Sequence, residues 1–518
     1  MNICMHQINT TAGDVKLNYE LILQSVTSSK ATIHLFPELC LSGYGCEDWL
    51  LNEQFIDQCH QYIELLRQKL PSNAWVIIGT PYRQNNQIYN SAIVIHNQSI
   101  ITIANKQCLP NHSVFSEKRY FHEGKESTCI TVEGKKFLIL ICYDAWNPDK
   151  IKLPKQKRFD GVLTLNASPY YQGSLDRRVS ILKKLNQTLK APIFYCNTVG
   201  TQDQYVFDGS SIVLTTNGAL SQLGQRFKQD HIYSSLNEQT TSIQIEDTEK
   251  HMYQAIVQSI SDFTEKNSIR QVIIGLSGGI DSALTLTLAH DALGPQRIVA
   301  VYMPSEFSSP ISLEDAQTLT KNLTIQLTHL PINELIDTYQ KRLSPLIPCE
   351  KGSITHQNLQ ARIRATLLMA MSNQSSSIVL ATSNKSEIST GYSTLYGDSA
   401  GGYAPINDLN KHQVYLLAKW RNLDKLTIPN RIIERAPSAE LAPDQYDSDD
   451  LPPYSQLDPF IDTWMSNHQL AKTNHALGKT IANAEFKRKQ CPIGPRVNRI
   501  SFGKDWRFPL TQKINLDQ

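Results

Sequence analysis

The sequence lacks any cysteine pair spaced C-x-x-C, although it contains 10 cysteines among 518 residues. This absence excludes a zinc knuckle, and scattered cysteines do not form a dense disulfide framework. Most cysteines are therefore expected to be buried thiols, and one of them could be a reactive cysteine. The 14 histidines show no zinc-type spacing either, so each is predicted to be a solvated or core residue.

Long apolar runs and an excess of one charge are also missing. No run approaches the roughly 18 residues of a membrane helix, and the first residues lack a basic region followed by an apolar stretch. We therefore expect a cytoplasmic protein with no membrane partner. The 50 basic and 48 acidic residues leave a net charge of +2, which does not indicate a basic surface for nucleic acid.

The first half of the chain contains short apolar runs of the length and composition of buried strands. They occupy residues 75–79, 92–95, 137–142, 161–165 and 192–196. Between some of them lie helical patterns such as residues 54–69, where apolar side chains share one helix face. Strands and helices therefore mix in one layered α/β domain.

The sequence becomes polar from Leu236 to Lys250, which predicts a domain boundary near residue 245. We expect domains at residues 1–245 and 246–518. After the boundary, the pattern predicts a helix, a strand, a second helix and a second strand, at residues 251–266, 271–276, 282–293 and 298–303. This is a βαβ unit of a parallel sheet with a ligand site at its strand ends. Residues 437–454, rich in Pro and Asp, are predicted to form a long surface loop.

The sharpest motif is Ser277-Gly278-Gly279-Ile280-Asp281-Ser282, between a predicted strand and a predicted helix. Two glycines allow a tight turn close to an anion, two hydroxyls can donate, and the helix N-terminus adds free N–H groups. The motif predicts a phosphate-binding loop. It lacks the Gly-Lys-Ser/Thr ending of a kinase or GTPase loop. The plainer alternative is a Gly-rich turn with an aspartate cap.

The loop resembles the pyrophosphate loop of the ATP pyrophosphatases, in which ATP is cut between its α- and β-phosphates. Four further strings are similar to those of the NAD⁺ synthetases, in the same order. They are Asn358-Leu359-Gln360-Ala361-Arg362-Ile363-Arg364, Ala381-Thr382-Ser383-Asn384-Lys385-Ser386-Glu387, Gly391-Tyr392-Ser393-Thr394-Leu395-Tyr396-Gly397-Asp398 and Pro437-Ser438-Ala439-Glu440-Leu441.

The resemblance implies three sets of ligand-binding residues in the second half. For ATP they are Gly275, Leu276, Ser277, Gly278, Gly279, Ile280, Asp281, Ser282 and Thr382. For deamido-NAD⁺ they are Asn358, Glu387, Tyr392, Ser393, Thr394, Leu395 and Lys487. For Mg²⁺ they are Asp281 and Glu387, since clustered phosphate charge calls for a metal ion held by carboxylates. The sequence departs from the family at Gln357, Ser383 and Ala442, none of which is a predicted phosphate or metal ligand.

Three strings of the first half carry a carboxylate, an ammonium and a thiol: Glu38 in Leu35-Phe36-Pro37-Glu38-Leu39, Lys106 in Ala104-Asn105-Lys106-Gln107-Cys108, and Cys142 in Ile139-Leu140-Ile141-Cys142-Tyr143-Asp144. These groups suffice for acyl transfer through a thioester. Glu38 can move protons, Lys106 can stabilise an oxyanion, and a cation beside the sulfur would lower the pKa of Cys142. The plainer alternative is a cysteine in the core.

The three strings resemble the nitrilase superfamily, whose Glu-Lys-Cys set they match in order. The resemblance implies a supporting carboxylate at Glu117 and a glutamine-site residue at Ser168 in Asn166-Ala167-Ser168-Pro169. His112 stands where the glutaminase members usually have Tyr, and Ser174 stands where a Lys often follows. Both positions are therefore predicted to alter glutamine binding.

The whole chain resembles the glutamine-dependent NAD⁺ synthetases. The resemblance implies a nitrilase-like αββα sandwich followed by a Rossmann-like parallel-sheet ATP pyrophosphatase domain. It implies that glutamine releases ammonia at Cys142, that ATP adenylates deamido-NAD⁺, and that ammonia converts the adenylate to NAD⁺ and AMP. It also implies Mg²⁺, an internal ammonia tunnel and a homo-octamer.

Two alternatives remain open at this point. The chain could belong to another enzyme of the same loop class, such as one that adenylates tRNA, although its near-neutral charge argues against this. The first half could also be a degenerate module that supports an ammonia-dependent synthetase. The departures at His112 and Ser174 favour that alternative, and the presence of Glu38, Lys106 and Cys142 opposes it.

Overall fold

The protein was analysed as a computed structural model, which describes residues 1–112, 115–154, 158–236, 243, 245–246, 248–443, 445–466, 475–506 and 509–510. The chain divides into two compact units, Met1–Asp247 and Thr248–Gln518. Much of the predicted boundary, at residues 237–242, 244 and 247, lies outside the described residues.

The first unit is built from fourteen strands and four helices among its described residues. The strands are β1 (Asn2–Gln7), β2 (Ile33–Leu35), β3 (Trp75–Gln84), β4 (Gln87–His96), β5 (Ser99–Asn105), β6 (Thr128–Val132), β7 (Lys135–Ile141), β8 (Gly161–Asn166), β9 (Ile193–Asn197), β10 (Val199–Gln202), β11 (Tyr205–Asp208), β12 (Ile212–Leu214), β13 (Leu220–Leu223) and β14 (Asp230–Ser235). The helices are α1 (Val15–Thr27), α2 (Glu53–Lys69), α3 (Tyr143–Trp146) and α4 (Ser174–Leu189).

These elements form a four-layer αββα sandwich. One six-stranded sheet has the order β14-β1-β2-β3-β4-β5, and the other has the order β13-β12-β9-β8-β7-β6. A central core joins the facing sides of the two sheets. A second core lies between the first sheet and α1 and α2, and a third lies between the second sheet and α3 and α4.

Strand β7 explains why an unbroken apolar run precedes the candidate nucleophile. Leu138 and Leu140 face the helical layer, whereas Phe137, Ile139 and Ile141 face the core between the sheets. Because both faces are buried, the strand cannot alternate apolar with polar residues. Its parallel partner β8 is buried along its whole length for the same reason.

The second unit holds a four-stranded parallel sheet of order β17-β16-β15-β18. Its strands are β15 (Val272–Gly275), β16 (Ile298–Tyr302), β17 (Leu327–His329) and β18 (Ile378–Val379). Its helices are α5 (Glu249–Lys266), α6 (Ile280–Leu293), α7 (Pro310–Asn322), α8 (Asn333–Leu343), α9 (Ile354–Ser375), α10 (Lys385–Thr390), α11 (Lys411–Arg421), α12 (Asn430–Glu434), α13 (Tyr454–Ser466), α14 (His475–Asn483) and α15 (Glu485–Arg488).

Strand β15, the loop and helix α6 form the predicted βαβ unit together with β16. Helix α9 packs on β15 and β18, whereas α6 packs on β15 and β16 and against α5 and α11. Residues 276, 303 and 380 directly follow the carboxyl ends of three parallel strands. A ligand site is expected at that edge.

The segment 437–454 is largely the surface loop that was predicted, since among its described residues only Asp447 and Leu451 are buried. Outside Asp444, which is not among the described residues, it contains a short 3₁₀ helix, Asp447–Asp449, and its residues 437–441 line a cavity that is open to solvent. Throughout the described part of the chain, helices fall short of the length or apolarity needed to cross a bilayer.

Candidate active sites

Cys142 occupies a strained turn between β7 and the short helix α3. Its backbone has φ +46° and ψ −98°, a conformation that non-glycine residues rarely adopt. Its N–H donates to the carbonyl of Leu165, at 2.8 Å, on the neighbouring strand β8. The strand-to-helix turn therefore fixes the sulfur at the carboxyl end of the second sheet, as nucleophile turns in hydrolases do.

Glu38, Lys106 and Glu117 form a buried charged group. The Nζ of Lys106 lies 2.7 Å from a carboxylate oxygen of Glu38 and 2.7 Å from one of Glu117. Asn90 donates to the same Glu38 oxygen at 2.7 Å, and the N–H of Ala167 donates to the other at 3.1 Å. These partners orient Glu38 and compensate the cost of burying three charges.

The structure corrects the expected pKa of the thiol. Burial raises the pKa of Cys142, and the charge of Glu38 raises it further, whereas Lys106 and a hydrogen bond from Ser168 lower it less. The resting cysteine is therefore a thiol, and it needs a base to remove its proton. Burial also raises the pKa of Glu117 to about 7, against the opposing effect of Lys106.

Ser168 lies next to the nucleophile, and Tyr195, which sequence reasoning missed, supports it. The Tyr195 hydroxyl donates to Ser168 Oγ at 2.6 Å, and that oxygen is 3.7 Å from Cys142 Sγ. Because Ser168 accepts from Tyr195, its own O–H is free to point at the sulfur. His112 reaches the hydroxyl of Tyr143 at 3.1 Å, one residue after the nucleophile.

Ser174 has a local role in the structure. It begins helix α4, and its Oγ accepts from the N–H of Tyr171 at 3.3 Å. Its side chain is buried, and this hydrogen bond stays within the turn before α4 rather than reaching the thiol of Cys142. The predicted effect of Ser174 on glutamine binding stays a prediction.

Asp144 is a buried residue that sequence reasoning placed only within a string. One of its oxygens accepts from the N–H groups of Gln107, at 3.0 Å, and Cys108, at 2.7 Å. The other accepts from the N–H of Ile141, at 3.2 Å. Asp144 thus ties the end of the Lys106 segment to the turn that carries Cys142. The only feature of the sequence that could have pointed to Asp144 is its position two residues after Cys142.

Hydrogen bonds between two of its own serines fix the shape of the glycine loop in the second unit. Ser282 Oγ accepts from the N–H of Ser277 at 3.2 Å, and the two hydroxyls are 3.0 Å apart. Gly278 has φ +83°, and a Cβ there would lie 2.5 Å from the carbonyl oxygen of Ser312. Glycine is therefore required at this position, and the loop leads into the N-terminus of the 14-residue helix α6.

Asp281 and Glu387, the predicted metal ligands, share the ammonium of Lys411. Its Nζ lies 2.7 Å from Asp281 and 3.3 Å from Glu387, and Asn384 donates to both carboxylates at 2.8 Å. Burial and the neighbouring Asp281 raise the pKa of Glu387 to about 8. Asp447 adds to that effect. Sequence reasoning missed Lys411, which has no local motif beyond beginning helix α11.

A cavity of about 270 Å³ opens at the carboxyl ends of the parallel strands. Among the predicted ATP residues, those lining it are Gly275, Leu276, Ser277, Gly279, Ile280, Asp281, Ser282 and Thr382. Glu387, Tyr392 and Lys411 line it too. Gly278 turns the loop without lining the cavity.

The remaining predicted deamido-NAD⁺ residues meet in a separate hydrogen-bonded group around the turn after α10. Thr394 donates to Asn358 at 2.8 Å. Lys487 donates to the carbonyl oxygens of Gly391 and Ser393, both at 2.7 Å. The carbonyl of Leu395 accepts from Arg362 at 3.1 Å. The structure therefore brings these residues together, beside the cavity-lining Tyr392 in sequence.

Comparison with known proteins identifies both units. The carbon-nitrogen hydrolase family matches residues 3–244, and the NAD synthase family matches residues 252–491. The glutamine-dependent NAD⁺ synthetase of Aquifex aeolicus is 38% identical over 99% of this chain and 100% of its own. The chain belongs to the glutamine-dependent NAD⁺ synthetase family.

Other members of the family agree over the full length. The glutamine-dependent NAD⁺ synthetase of Acinetobacter baylyi is 36% identical, with 98% of each chain covered. A solved glutamine-dependent NAD⁺ synthetase from Acinetobacter baumannii, in complex with ADP, is 33% identical with a TM-score of 0.79 over 98% of both chains. The enzyme from Cytophaga hutchinsonii shares the fold at 20% identity, with a TM-score of 0.84 over 99% of this chain and 98% of its own.

These comparisons confirm the predicted family and the predicted fold class. The chain is an enzyme, a ligase that takes its amide nitrogen from glutamine. Its first unit is nitrilase-like and its second unit is an NAD synthase domain. The tRNA-adenylating alternative is thereby wrong.

Proposed function

We propose that this chain converts deamido-NAD⁺ to NAD⁺ with glutamine and ATP, and that the residues described above carry the two half-reactions. The observation that carries the proposal is that one chain holds two sites. A buried carboxylate-ammonium-thiol group lies in the first unit, and a phosphate loop beside two carboxylates lies in the second.

In the first unit, Cys142 attacks the side-chain carboxamide of glutamine. Glu38 accepts the thiol proton and returns it to the leaving nitrogen, so ammonia departs and a thioester forms. Lys106 stabilises the oxyanion with its positive charge. Water then hydrolyses the thioester to glutamate, with Glu38 as base. The raised pKa of the thiol supports this order, because the nucleophile forms only when a base acts on it.

In the second unit, the carboxylate of deamido-NAD⁺ attacks the α-phosphate of ATP, and pyrophosphate leaves. The loop of Ser277 to Ser282 offers hydroxyls and helix N-terminal N–H groups to the departing phosphates. Lys411 lies beside the loop aspartate and can neutralise negative charge there. Ammonia then attacks the acyl-adenylate, which yields NAD⁺ and AMP.

The residues of the second site fit Mg²⁺. Asp281 and Glu387 present hard carboxylate oxygens to one point, where an ammonium already balances their charge. Both also contact the cavity. When bound there, Mg²⁺ would offset the charge of the polyphosphate.

The decisive assay measures NAD⁺ formation from deamido-NAD⁺ and ATP with Mg²⁺, and compares glutamine with ammonium as nitrogen source. Cys142→Ala should lose the glutamine-driven rate and keep the ammonium-driven rate. Cys129→Ala is the matched control, because that half-buried thiol lies on β6 and has no place in the proposed chemistry.

Two results would contradict the proposal. If the wild type forms no NAD⁺ from either nitrogen source, the synthetase assignment is wrong. If Cys142→Ala retains the glutamine-driven rate, the first unit is a supporting module and Cys142 is a structural residue.

Family resemblance supports three further proposals. Ammonia passes between the two sites through a tunnel, the chain assembles into a homo-octamer, and the enzyme works in the cytoplasm. Sedimentation velocity of the purified full chain tests the octamer, and a dimer as the largest species would refute it. An ammonia-trapping enzyme tests the tunnel: it should capture little free ammonia during glutamine-driven turnover, and capture of most of the ammonia would contradict the tunnel.

A further inference from the structure

Three histidines and a cysteine from adjacent strands meet at one edge of the first unit. Cys4 and His6 lie on β1, His34 on β2 and His231 on β14, and these strands are neighbours in the order β14-β1-β2. Cross-strand pairing places His6 directly opposite His231, and Cys4 opposite His34. Cys4, His6 and His34 are buried, whereas His231 is exposed to solvent.

The hydrogen bonds of this cluster determine where the His6 protons lie. His34 Nε2 is 3.1 Å from the carbonyl oxygen of Ala31, which can only accept, so His34 carries its proton on Nε2. His34 Nδ1 is then an acceptor for a neutral ring, and His6 Nε2 donates to it at 2.9 Å. His6 Nδ1 consequently carries no proton, and its lone pair accepts from the neighbouring Nδ1 of His231.

That lone pair points at two other ligand atoms. His6 Nδ1 is 2.9 Å from His231 Nδ1 and 3.8 Å from Cys4 Sγ, and the three atoms lie within 4.8 Å of one another. The ring of His6 is held in place because it stacks on Phe36, with centroids 4.5 Å apart, and on His34 at 5.2 Å. A histidine with one nitrogen oriented by a hydrogen bond and the other directed at a thiol is arranged as metal-binding histidines are.

We propose that Cys4, His6 and His231 form a binding site for a thiophilic divalent metal ion of the zinc class. Ligand atoms at about 2.0–2.3 Å from a tetrahedral ion lie about 3.3–3.7 Å apart. The two separations from His6 Nδ1, 2.9 Å and 3.8 Å, bracket that range, and the third, between Cys4 Sγ and His231 Nδ1, is at most 4.8 Å. Binding of an ion therefore requires a side-chain shift of up to about 1 Å, which the exposed His231 can supply. Cys4 binds as thiolate and releases its proton to solvent, and water completes the fourth position.

The donor set separates this site from the proposed Mg²⁺ site. One sulfur and two imidazole nitrogens favour zinc-class ions, whereas Mg²⁺ prefers oxygen ligands. Histidine spacing along the chain did not reveal the cluster, since the ligands come from strands that are distant in sequence and paired in space.

The test uses the full-length chain with Cys142→Ser as background, so that the candidate nucleophile contributes no thiolate. After removal of metal with a chelator, Co²⁺ is titrated in the absence of nucleotide. One Co²⁺ per chain should give tetrahedral d–d bands together with a thiolate-to-cobalt charge-transfer band. Zn²⁺ should then displace Co²⁺ and abolish both signals.

Variants assign the ligands. Cys4→Ser should remove the charge-transfer band, and His231→Ala should weaken Zn²⁺ binding about 100-fold or more. His34→Leu, which removes the side chain that orients His6 but none of the proposed ligands, should weaken it about 10- to 100-fold. Cys129→Ser and His122→Ala are matched controls in the same unit and should bind as the background does.

The proposal is overturned if the folded background protein gives no charge-transfer band, or if that band survives Cys4→Ser. It is also overturned if His231→Ala binds Zn²⁺ as tightly as His122→Ala. Should Cys4→Ser fail to fold, as shown by circular dichroism, the His231→Ala comparison decides, because that side chain is exposed and its removal leaves the core intact.

Discussion

Replacing Tyr195 by phenylalanine removes one buried hydroxyl and tests how the thiol of Cys142 is activated. The Tyr195 hydroxyl donates to Ser168 Oγ at 2.6 Å, which frees the Ser168 proton to face the sulfur at 3.7 Å. A neutral hydrogen bond of this kind contributes about 0.5–1.5 kcal/mol. If that contribution is lost only in the transition state, the glutamine-driven kcat/KM falls about 2- to 10-fold.

The assay compares NAD⁺ formation from glutamine and from ammonium in Tyr195→Phe, alongside the pH profile for alkylation of Cys142. We expect the glutamine-driven rate to fall while the ammonium-driven rate stays, and the alkylation profile to move to higher pH, since Ser168 stabilises the thiolate. Tyr253→Phe is the matched control, because it removes a 2.7 Å hydrogen bond to Asp291 in the other unit. An unchanged ratio of the two rates in Tyr195→Phe would refute the reasoning.

Three further predictions concern charge and backbone. Because burial raises the pKa of Glu117 from 4.5 to about 7, stability is lost as pH rises between these values. The free energy of unfolding of Glu117→Gln, measured with denaturant, should therefore rise relative to that of the wild type by up to about 3 kcal/mol between pH 5 and pH 8. The same difference between variant and wild type at both pH values would contradict this. Lys411→Met, checked for folding, should lower NAD⁺ formation about 100-fold or more with both nitrogen sources, and a defect seen only with glutamine would contradict the role proposed for Lys411. Gly278→Ala should weaken ATP binding about 10-fold or more in calorimetry, because a Cβ would lie 2.5 Å from the carbonyl oxygen of Ser312. Gly294→Ala, with φ +75° and nothing within 4 Å, is its control, and equal losses in both would exclude the clash as the cause.

The central strands could be predicted from the sequence because both of their faces are buried, which makes each of them a nearly continuous run of apolar residues. Residues 54–69 were expected to form a helix, and α2 spans Glu53–Lys69, capped where Asn52 accepts from the N–H of Phe55. The strand before the glycine loop and the helix after it also lie where the pattern placed them. Residues 437–441 belong to the predicted surface loop and also line the cavity of the second unit, which the polar composition of the segment alone does not show.

Sequence motifs supplied the candidate residues of both sites, whereas residues that reach a site through tertiary contacts have no motif and were missed. Lys411 reaches Asp281 from a different element, and Tyr195 reaches Ser168 from a neighbouring strand. The sign of the pKa shift at Cys142 depended on burial, which outweighs the nearby ammonium. Such effects depend on distances in the folded structure, which cannot be read from the separation of residues along the sequence.

The pairing of β1 with β14 also has a consequence for how the chain is made. The first strand, Asn2–Gln7, takes its outer partner from residues 230–235, so this edge of the sheet is unprotected until nearly the whole first unit has been synthesised. At about 5–20 residues per second, that delay lasts on the order of ten to fifty seconds. A nascent or truncated chain therefore carries an open apolar strand, and association with chaperones during translation is expected to end only when the last strand of the unit arrives.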